Sequence, residues 1–201
     1  LSENKNIKSI WCGPISGDGS LAIGAAWMAS KRFQPKKKMY GLNSIYLGSN
    51  INDSEVVKEI KKNCKNFKII KNPKNLQIAK WLANGLIVAR CKGRMEFGQR
   101  ALGNRSILAD PRDFNSVEKI NSKIKYRDFW MPFTPSMTIE QANKMIINPK
   151  NIYSPYMTVA YDIKPEFIDS IPAAIHPSDK TVRPQMLKYE DNPKYYDLLK
   201  S

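Results

Sequence analysis

The segment that most restricts the fold of this chain is a glycine- and arginine-rich loop, residues 93–112, directly after an apolar run. The run Leu86-Ile-Val-Ala-Arg-Cys91 is short and largely continuous, which is typical of a buried strand. Glycines follow at Gly93, Gly98 and Gly103. Because glycine adopts positive φ without steric cost, this spacing predicts an irregular loop whose backbone N–H groups can turn toward an anion.

Arginines are spaced along the same loop, at Arg94, Arg100, Arg105 and Arg112. A planar guanidinium binds phosphate or carboxylate through two parallel hydrogen bonds, so the loop is predicted to hold a phosphate group. Neutral hydrogen bonds could come from Asn104 and Ser106. The alternative is that the arginines pair with Glu96, Asp110 and Asp113 and hold the loop together. The loop fits neither the P-loop pattern nor the Rossmann glycine fingerprint.

Helix and strand signals are mixed along the chain and predict a domain of the α/β or α+β class. Predicted helices span residues 20–32, 53–64, 75–84, 115–125, 139–147 and 191–199. Their predicted N-caps are Asp53 or Ser54, Asn75, and Asn115 or Ser116, and Gly85 is predicted to end the third helix. Predicted strands span residues 7–12, 44–47, 86–91, 106–109, 156–163, 171–175 and 182–188.

The composition excludes several classes of protein. The 201 residues are 42% hydrophobic and carry a net charge of +15, so the chain can bury a core and is expected to bind an anionic partner. No apolar run approaches the roughly 20 residues of a membrane span and no secretion signal opens the chain, so a cytoplasmic protein without membrane attachment is expected. The 3 cysteines are far apart and there is 1 histidine, which disfavours a disulfide framework and a histidine-rich metal site.

The sequence Gly93-Arg-Met-Glu-Phe-Gly-Gln-Arg-Ala-Leu-Gly-Asn-Arg-Ser-Ile-Leu-Ala-Asp-Pro-Arg112 resembles the signature of the C-terminal domain of NodU-type O-carbamoyltransferases. Further matches follow in the family's order at residues 121–127, 132–136, 154–157, 171–176 and 181–185, so the resemblance covers roughly residues 42–200. Two positions depart from the family pattern. Gln99 replaces the usual proline, and Met131 stands where many members have an arginine.

The resemblance implies a YrdC-like domain, a twisted mixed sheet flanked by helices, that binds ATP with Mg²⁺ and carbamoyl phosphate and forms carbamoyl adenylate. The residues that it implies to act on phosphate groups are Arg94, Arg100, Arg105, Lys125 and Arg183. Those that it implies to contact the nucleotide are Gly93, Gly98, Gly103, Asn104, Ser106, Arg127 and His176. On its own, a lone histidine such as His176 fits a structural role equally well.

The N-terminal stretch Pro14–Ala26 resembles the last motif of the family's ASKHA-like domain, in which the aspartate at the position of Asp18 helps to bind iron. The resemblance therefore predicts that residues 1–42 are the tail of that domain and residues 43–201 the YrdC-like domain. Read from the residues alone, Asp18 is expected to cap the following helix. Because the chain opens on Leu rather than Met, further sequence upstream is expected, and Fe²⁺ is expected only with it.

Two functions of different classes follow. The first is part of an O-carbamoyltransferase, with a small hydroxylated acceptor and an N-terminal ASKHA-like domain as partners and no nucleic acid partner. The second is a non-catalytic RNA-binding module that uses its basic surface. Seven lysines between Lys58 and Lys74 fit a solvated helical face or, under the second function, an RNA-binding patch.

Overall fold

The computed structural model describes residues 4–42, 44–63, 66–128 and 131–201. A 3-10 turn at Asp18–Ser20 leads into the first helix, α1 (Leu21–Phe33), which confirms the helix predicted there. The predicted strand at residues 7–12 is wrong, because this stretch pairs with no other described strand. Ile10 and Cys12 instead pack against the main hydrophobic core.

Two helices follow before the glycine-rich loop, α2 (Asp53–Asn63) and α3 (Asn75–Ala83), as predicted. The predicted caps are wrong. The side chain of Asn52 accepts the N–H of Ser54 at 3.0 Å, and Lys74 precedes α3 without a side-chain bond. Cys64, the last residue of the predicted second helix, lies outside the described residues, and residues 44–47 do not form the predicted strand.

The C-terminal end of α3 is the one that the sequence predicts. Gly85 has a φ of 77°. Its N–H donates to the carbonyl of Leu82 at 2.9 Å, and the next N–H, of Leu86, donates to Trp81 at 3.0 Å. These two bonds form a Schellman motif, in which glycine is favoured because the backbone is left-handed. The chain then turns directly into the strand that precedes the loop.

That strand, β1 (Val88–Cys91), pairs antiparallel with β2 (Arg105–Leu108), with Val88 opposite Leu108. Both strands were predicted, but the expectation that the first is buried is wrong. Its residues alternate between half-buried and exposed, because the two-stranded sheet leaves one face in solvent. The pairing places Cys91 opposite Arg105, so the part of the glycine-rich loop between the two strands is closed at its base.

The remaining elements include those that build the main core. They are α4 (Asn115–Ile120), a π-helical turn (Asn121–Lys125), β3 (Ser136–Thr138), α5 (Ile139–Met145), β4 (Tyr161–Asp162), β5 (Thr181–Val182), β6 (Gln185–Leu187) and α6 (Pro193–Lys200). β3 pairs parallel with β6, and β4 pairs antiparallel with β5. The core between them is apolar, with Ala142 and Met186 fully buried.

Three predictions in this region differ from the structure, two of them because of a proline. Residues 171–175 are not a strand, because Pro172 begins a 3-10 helix that ends at Ala174. The N-cap of α4 is Phe114 rather than Asn115 or Ser116. The predicted strand at 182–188 is divided into β5 and β6 by Pro184.

The structure confirms a mixture of helices and small sheets of the α/β or α+β class. The described residues form three separate two-stranded sheets. A single twisted YrdC-like sheet is therefore not seen among them, and that assignment, like the boundary near residue 42, stays a prediction. In the described ranges, no helix combines the length and apolar character that crossing a bilayer requires.

Candidate anion-binding site

The glycine-rich loop has the backbone that its glycines predict. Gly93, Gly98 and Gly103 have φ values of 67°, 118° and 110°. At Gly98 a side chain would meet Ile15 at 3.2 Å, and at Gly103 it would meet the ring of Tyr195 at 2.3 Å. Both positions favour glycine for φ, and at Gly103 the ring of Tyr195 also leaves no space for a side chain.

The backbone N–H groups of the loop point at a carboxylate of the chain itself. Oε1 of Glu96 accepts hydrogen bonds from the N–H groups of Leu102, Asn104 and Arg105 at 2.8, 2.7 and 3.1 Å. Three convergent N–H groups are the arrangement that binds anions in proteins. Here the anion is internal, so these N–H groups are not available to a phosphate.

Arg94 and Arg105 hold the loop to its neighbours. Arg94 donates from Nε to the carbonyl of Gly48 at 3.0 Å and from Nη2 to that of Leu47 at 2.6 Å. Arg105 donates from Nη1 to the carbonyl of Asn104 at 2.9 Å and from Nη2 to that of Gly93 at 3.0 Å. Both guanidinium groups bind backbone carbonyls, and their contact with phosphate stays a prediction.

Asn104 and Ser106 are buried and also bond within the protein. Asn104 donates from Nδ2 to the carbonyl of Arg94 at 2.9 Å, and its Oδ1 accepts from Asn192 at 3.0 Å. The hydroxyl of Ser106 accepts the N–H of Gly103 at 2.9 Å. The two buried side chains therefore stabilise the conformation of the loop through these hydrogen bonds.

The end of the loop contains the ion pair that the alternative interpretation predicts. Arg112 donates from Nη2 to Oδ2 of Asp110 at 2.5 Å and from Nε to Oδ1 at 2.9 Å. The hydrogen bond from Arg112 lowers the pKa of Asp110 below its usual value. A second pair, Lys119 with Asp113, is 3.6 Å long. Arg112 is thus neutralised by its neighbour.

Arg127 is partly engaged and Lys125 is exposed. Arg127 donates from Nε to Oδ1 of Asn121 at 2.7 Å, and its guanidinium lies 4.4 Å from the ring centroid of Phe133. Burial lowers the pKa of Arg127, and the positive charge of Arg100 lowers it further. Lys125 ends the π-helical turn with its side chain in solvent.

His176 lies in a turn with Asp179. Nδ1 of His176 is 3.1 Å from Oδ1 of Asp179. The backbone N–H of His176 donates to the carbonyl of Thr181 at 2.9 Å. The backbone N–H of Thr181, followed by its hydroxyl, lowers the pKa of Asp179. These contacts form a hydrogen-bonded turn, and His176 is not among the residues that line the cavity described next.

Arg100 and Arg183 do converge on one cavity, of about 260 Å³. It is lined by residues 14–17, 99–100, 157–158 and 183. Within the described ranges, neither guanidinium donates a hydrogen bond or forms an ion pair. A second, shallow groove of about 340 Å³ lies along α2 and is lined by residues such as Val56 and Ile60, with no Lys or Arg among its lining residues. The first cavity is therefore the candidate site for an anion.

Buried hydrogen bonds connect the segments that carry the two arginines. The carbonyl of Leu102 accepts from the hydroxyl of Tyr46 at 2.8 Å and from Nε2 of Gln185 at 3.0 Å. Oε1 of Gln185 accepts from the hydroxyl of Ser136 at 2.8 Å. Burial of the ring raises the pKa of Tyr46 to about 12, so the hydroxyl remains a donor at neutral pH. Arg100 precedes Leu102 by two residues, and Arg183 precedes Gln185 by two residues. The hydrogen bond between Leu102 and Gln185 therefore joins the two segments that carry the arginines.

The sequence did not predict that Glu96 accepts hydrogen bonds from the backbone of the loop. It did not indicate Tyr46 or Thr158 either. Glu96 was considered only as a partner for the arginines. Thr158 lines the cavity, and its Oγ1 is buried without a hydrogen-bond partner among the residues that the structure describes. A threonine in an apolar stretch gives no signal of such a position, because its surroundings come from segments distant in sequence.

Asp18 does not cap the helix as predicted, because the N-cap positions are Gly17 and Ser20, neither with a side-chain bond. It stands in the first turn, where a negative charge is favoured. Among the described residues there is no group of three or more histidine, cysteine, aspartate or glutamate side chains placed to hold a metal ion. Asp18 alone does not fit a transition metal.

Comparison with known proteins identifies the family. The family model described as carbamoyltransferase C-terminus matches residues 79–201. An uncharacterized protein of Methanocaldococcus jannaschii is 39% identical over all of this chain and 33% of its own length. Nodulation protein NolO of Bradyrhizobium diazoefficiens is 32% identical over 94% of the chain and 35% of its own length.

Nodulation protein U of Rhizobium tropici is 29% identical over 88% of the chain and 28% of its own length. The chain thus spans about a third of the length of the curated relatives it matches. The matched residues 79–201 include the glycine-rich loop, Thr158 and both cavity arginines. This chain belongs to the carbamoyltransferase C-terminus family.

Proposed function

We propose that this chain is the part of an O-carbamoyltransferase that binds carbamoyl phosphate and ATP and forms carbamoyl adenylate, for transfer to a small hydroxylated acceptor at a second site. The observation that carries the proposal is the convergence of Arg100 and Arg183 on one cavity, where neither has a hydrogen-bond or ion-pair partner among the described residues. Two guanidinium groups concentrate phosphate compounds and stabilise the charge that develops on phosphate transfer.

The other basic residues support this pair. Arg94 and Arg105 shape the loop that carries Arg100, through their bonds to backbone carbonyls. Arg127 is close enough for the charge of Arg100 to lower its pKa, so both belong to one positive surface. ATP would bring its phosphates to this surface, with Lys125 as a further cation. Mg²⁺, when bound, would neutralise nucleotide phosphate charge, and the described residues offer no carboxylate cluster to hold it.

The proposed partner is an N-terminal ASKHA-like domain, and α1 is the surface that favours it. None of the described residues of α1 is buried, although the helix includes Leu21, Met28 and Phe33, exposed by 68%, 76% and 78%. Apolar side chains on an unburied helix mark a contact surface. Iron, if bound by the whole protein, would need ligands from such a domain beside Asp18.

Isothermal titration of the purified chain with carbamoyl phosphate and with ATP tests the proposal. We expect binding of both, and at least a tenfold loss of carbamoyl phosphate affinity in Arg100→Ala and in Arg183→Ala, since each removes a charge-assisted hydrogen bond. Arg32→Ala is the matched control, because it removes one positive charge from α1, away from the cavity. Absence of binding, or equal losses in all three variants, would overturn the proposal.

The RNA-binding alternative is favoured by the net charge of +15. It predicts a steep dependence of RNA affinity on salt and no special role for Arg100 over other exposed cations. Titration of a mixed RNA pool at several salt concentrations, beside the ATP titration, separates the two functions. RNA binding without ATP binding would replace the enzyme proposal.

A further inference from the structure

Thr158 is the one hydroxyl-bearing residue of the cavity whose side-chain oxygen is buried and unpaired among the described residues. A buried hydroxyl without a partner is destabilising, and proteins keep few of them. Such a group next to two unpaired arginines indicates that its partner is a ligand rather than another part of the protein.

The backbone around Thr158 is built to place it there. The preceding residue, Met157, is buried and has a φ of 58°, the left-handed conformation that non-glycine residues seldom adopt. Its Sδ accepts from the hydroxyl of Thr134 at 2.9 Å. Thr158 follows this turn directly and lines the cavity, and a 120° rotation about χ1 moves its hydroxyl to the position that its methyl group held.

The volume of the cavity restricts the ligand. Sites for drug-sized molecules occupy about 300–1,000 Å³, and this cavity has about 260 Å³. It therefore suits a compound of one phosphate group and few further atoms. Two arginines and one hydroxyl would bind three phosphate oxygens, with the hydroxyl donating the neutral hydrogen bond.

Resting on the proposed function, we infer that Thr158 is the specificity-determining residue of a small-phosphate subsite that takes carbamoyl phosphate rather than the phosphates of the nucleotide. The hydroxyl gains its missing partner only when the small phosphate is bound. The nucleotide would bind outside the cavity, along the surface of Arg127 and Lys125.

The test is titration of the purified chain and its Thr158→Val variant with inorganic phosphate, carbamoyl phosphate and ATP. Valine keeps the shape of threonine and removes only the hydroxyl. We expect Thr158→Val to weaken both small phosphates about tenfold and to leave ATP unchanged, and Thr158→Ser to retain binding. We also expect the melting temperature of Thr158→Val to be equal or higher, because the unpaired hydroxyl is lost, a signature that a merely structural role would not give.

Ser154→Ala is the matched control, because Ser154 is also a buried hydroxyl residue of the same segment but does not line the cavity. Its phosphate affinity should equal that of the unmodified chain. Unchanged phosphate affinity in Thr158→Val, an equal loss in Ser154→Ala, or an equal loss for ATP would each overturn the inference. Loss of binding in Arg100→Ala but not in Thr158→Val would leave the proposed function standing and remove only this one.

Discussion

Glu96 is expected to hold the glycine-rich loop in shape, and its removal offers a quantitative test. Its carboxylate accepts three backbone N–H groups at 2.7–3.1 Å. Bonds to a charged acceptor contribute roughly 1.5–3 kcal/mol each when buried. Glu96 is only half-buried, so water can replace part of this, and we expect Glu96→Ala to lower the free energy of unfolding by about 3 kcal/mol.

For a domain of this size, about 3 kcal/mol corresponds to a fall of roughly 6–12 °C in melting temperature. Circular dichroism at 222 nm during heating measures it, on the purified chain at pH 7. Glu96→Gln keeps an acceptor oxygen and should lose about half as much. Glu190→Gln, in an exposed turn, serves as the control. A melting temperature for Glu96→Ala within 2 °C of the unmodified chain would refute the role assigned to the carboxylate.

Three further changes have defined outcomes. Gly103→Ala would place a carbon 2.3 Å from the ring of Tyr195 and should cost about 2–4 kcal/mol in chemical denaturation, whereas Gly41→Ala, with nothing within 4 Å, should change little. Asp110→Asn should lower stability by up to about 1 kcal/mol at pH 7; because the folded pKa of Asp110 is depressed, the difference should close as pH falls below about 4. Gln185→Met should cost about 2–3 kcal/mol, since it removes a donor and an acceptor from a buried network.

Each of these also has an outcome that would contradict it. Equal denaturation midpoints for the two glycine variants would show that the loop can move away from the tyrosine ring. A stability difference in Asp110→Asn that does not shrink at all between pH 7 and pH 3 would mean that the ion pair is not its cause. A Gln185→Met variant as stable as the unmodified chain would show that water replaces the lost bonds.

Local signals predicted the helices and the paired strands around the loop. Gly85 ends α3 because its left-handed turn needs only local sequence to form, and the glycines of the loop have the positive φ expected of them. Strand predictions failed where a proline redirected the chain, as at Pro172, which begins a 3-10 helix. That proline was visible in the sequence and would have been a sufficient signal.

The sequence could not predict which arginines bind backbone carbonyls and which line the cavity. Arg94 and Arg100 have the same charge and the same glycine-rich surroundings. Arg94 binds the carbonyls of Leu47 and Gly48, whereas Arg100 reaches a cavity completed by Arg183. What distinguishes them is the segment that packs against each, and that depends on contacts between residues far apart in the chain.

The hydrogen bond from Gln185 to Leu102 joins positions 83 residues apart. Forming a contact of such separation closes a long loop, which costs chain entropy. The anion site joins segments that are far apart in the sequence, so an anion that binds there binds the native state and not the unfolded chain. At a concentration of about 100 times its dissociation constant, such a ligand would stabilise the fold by about 2.7 kcal/mol. Occupancy of the site is thus thermodynamically coupled to the folding of the chain.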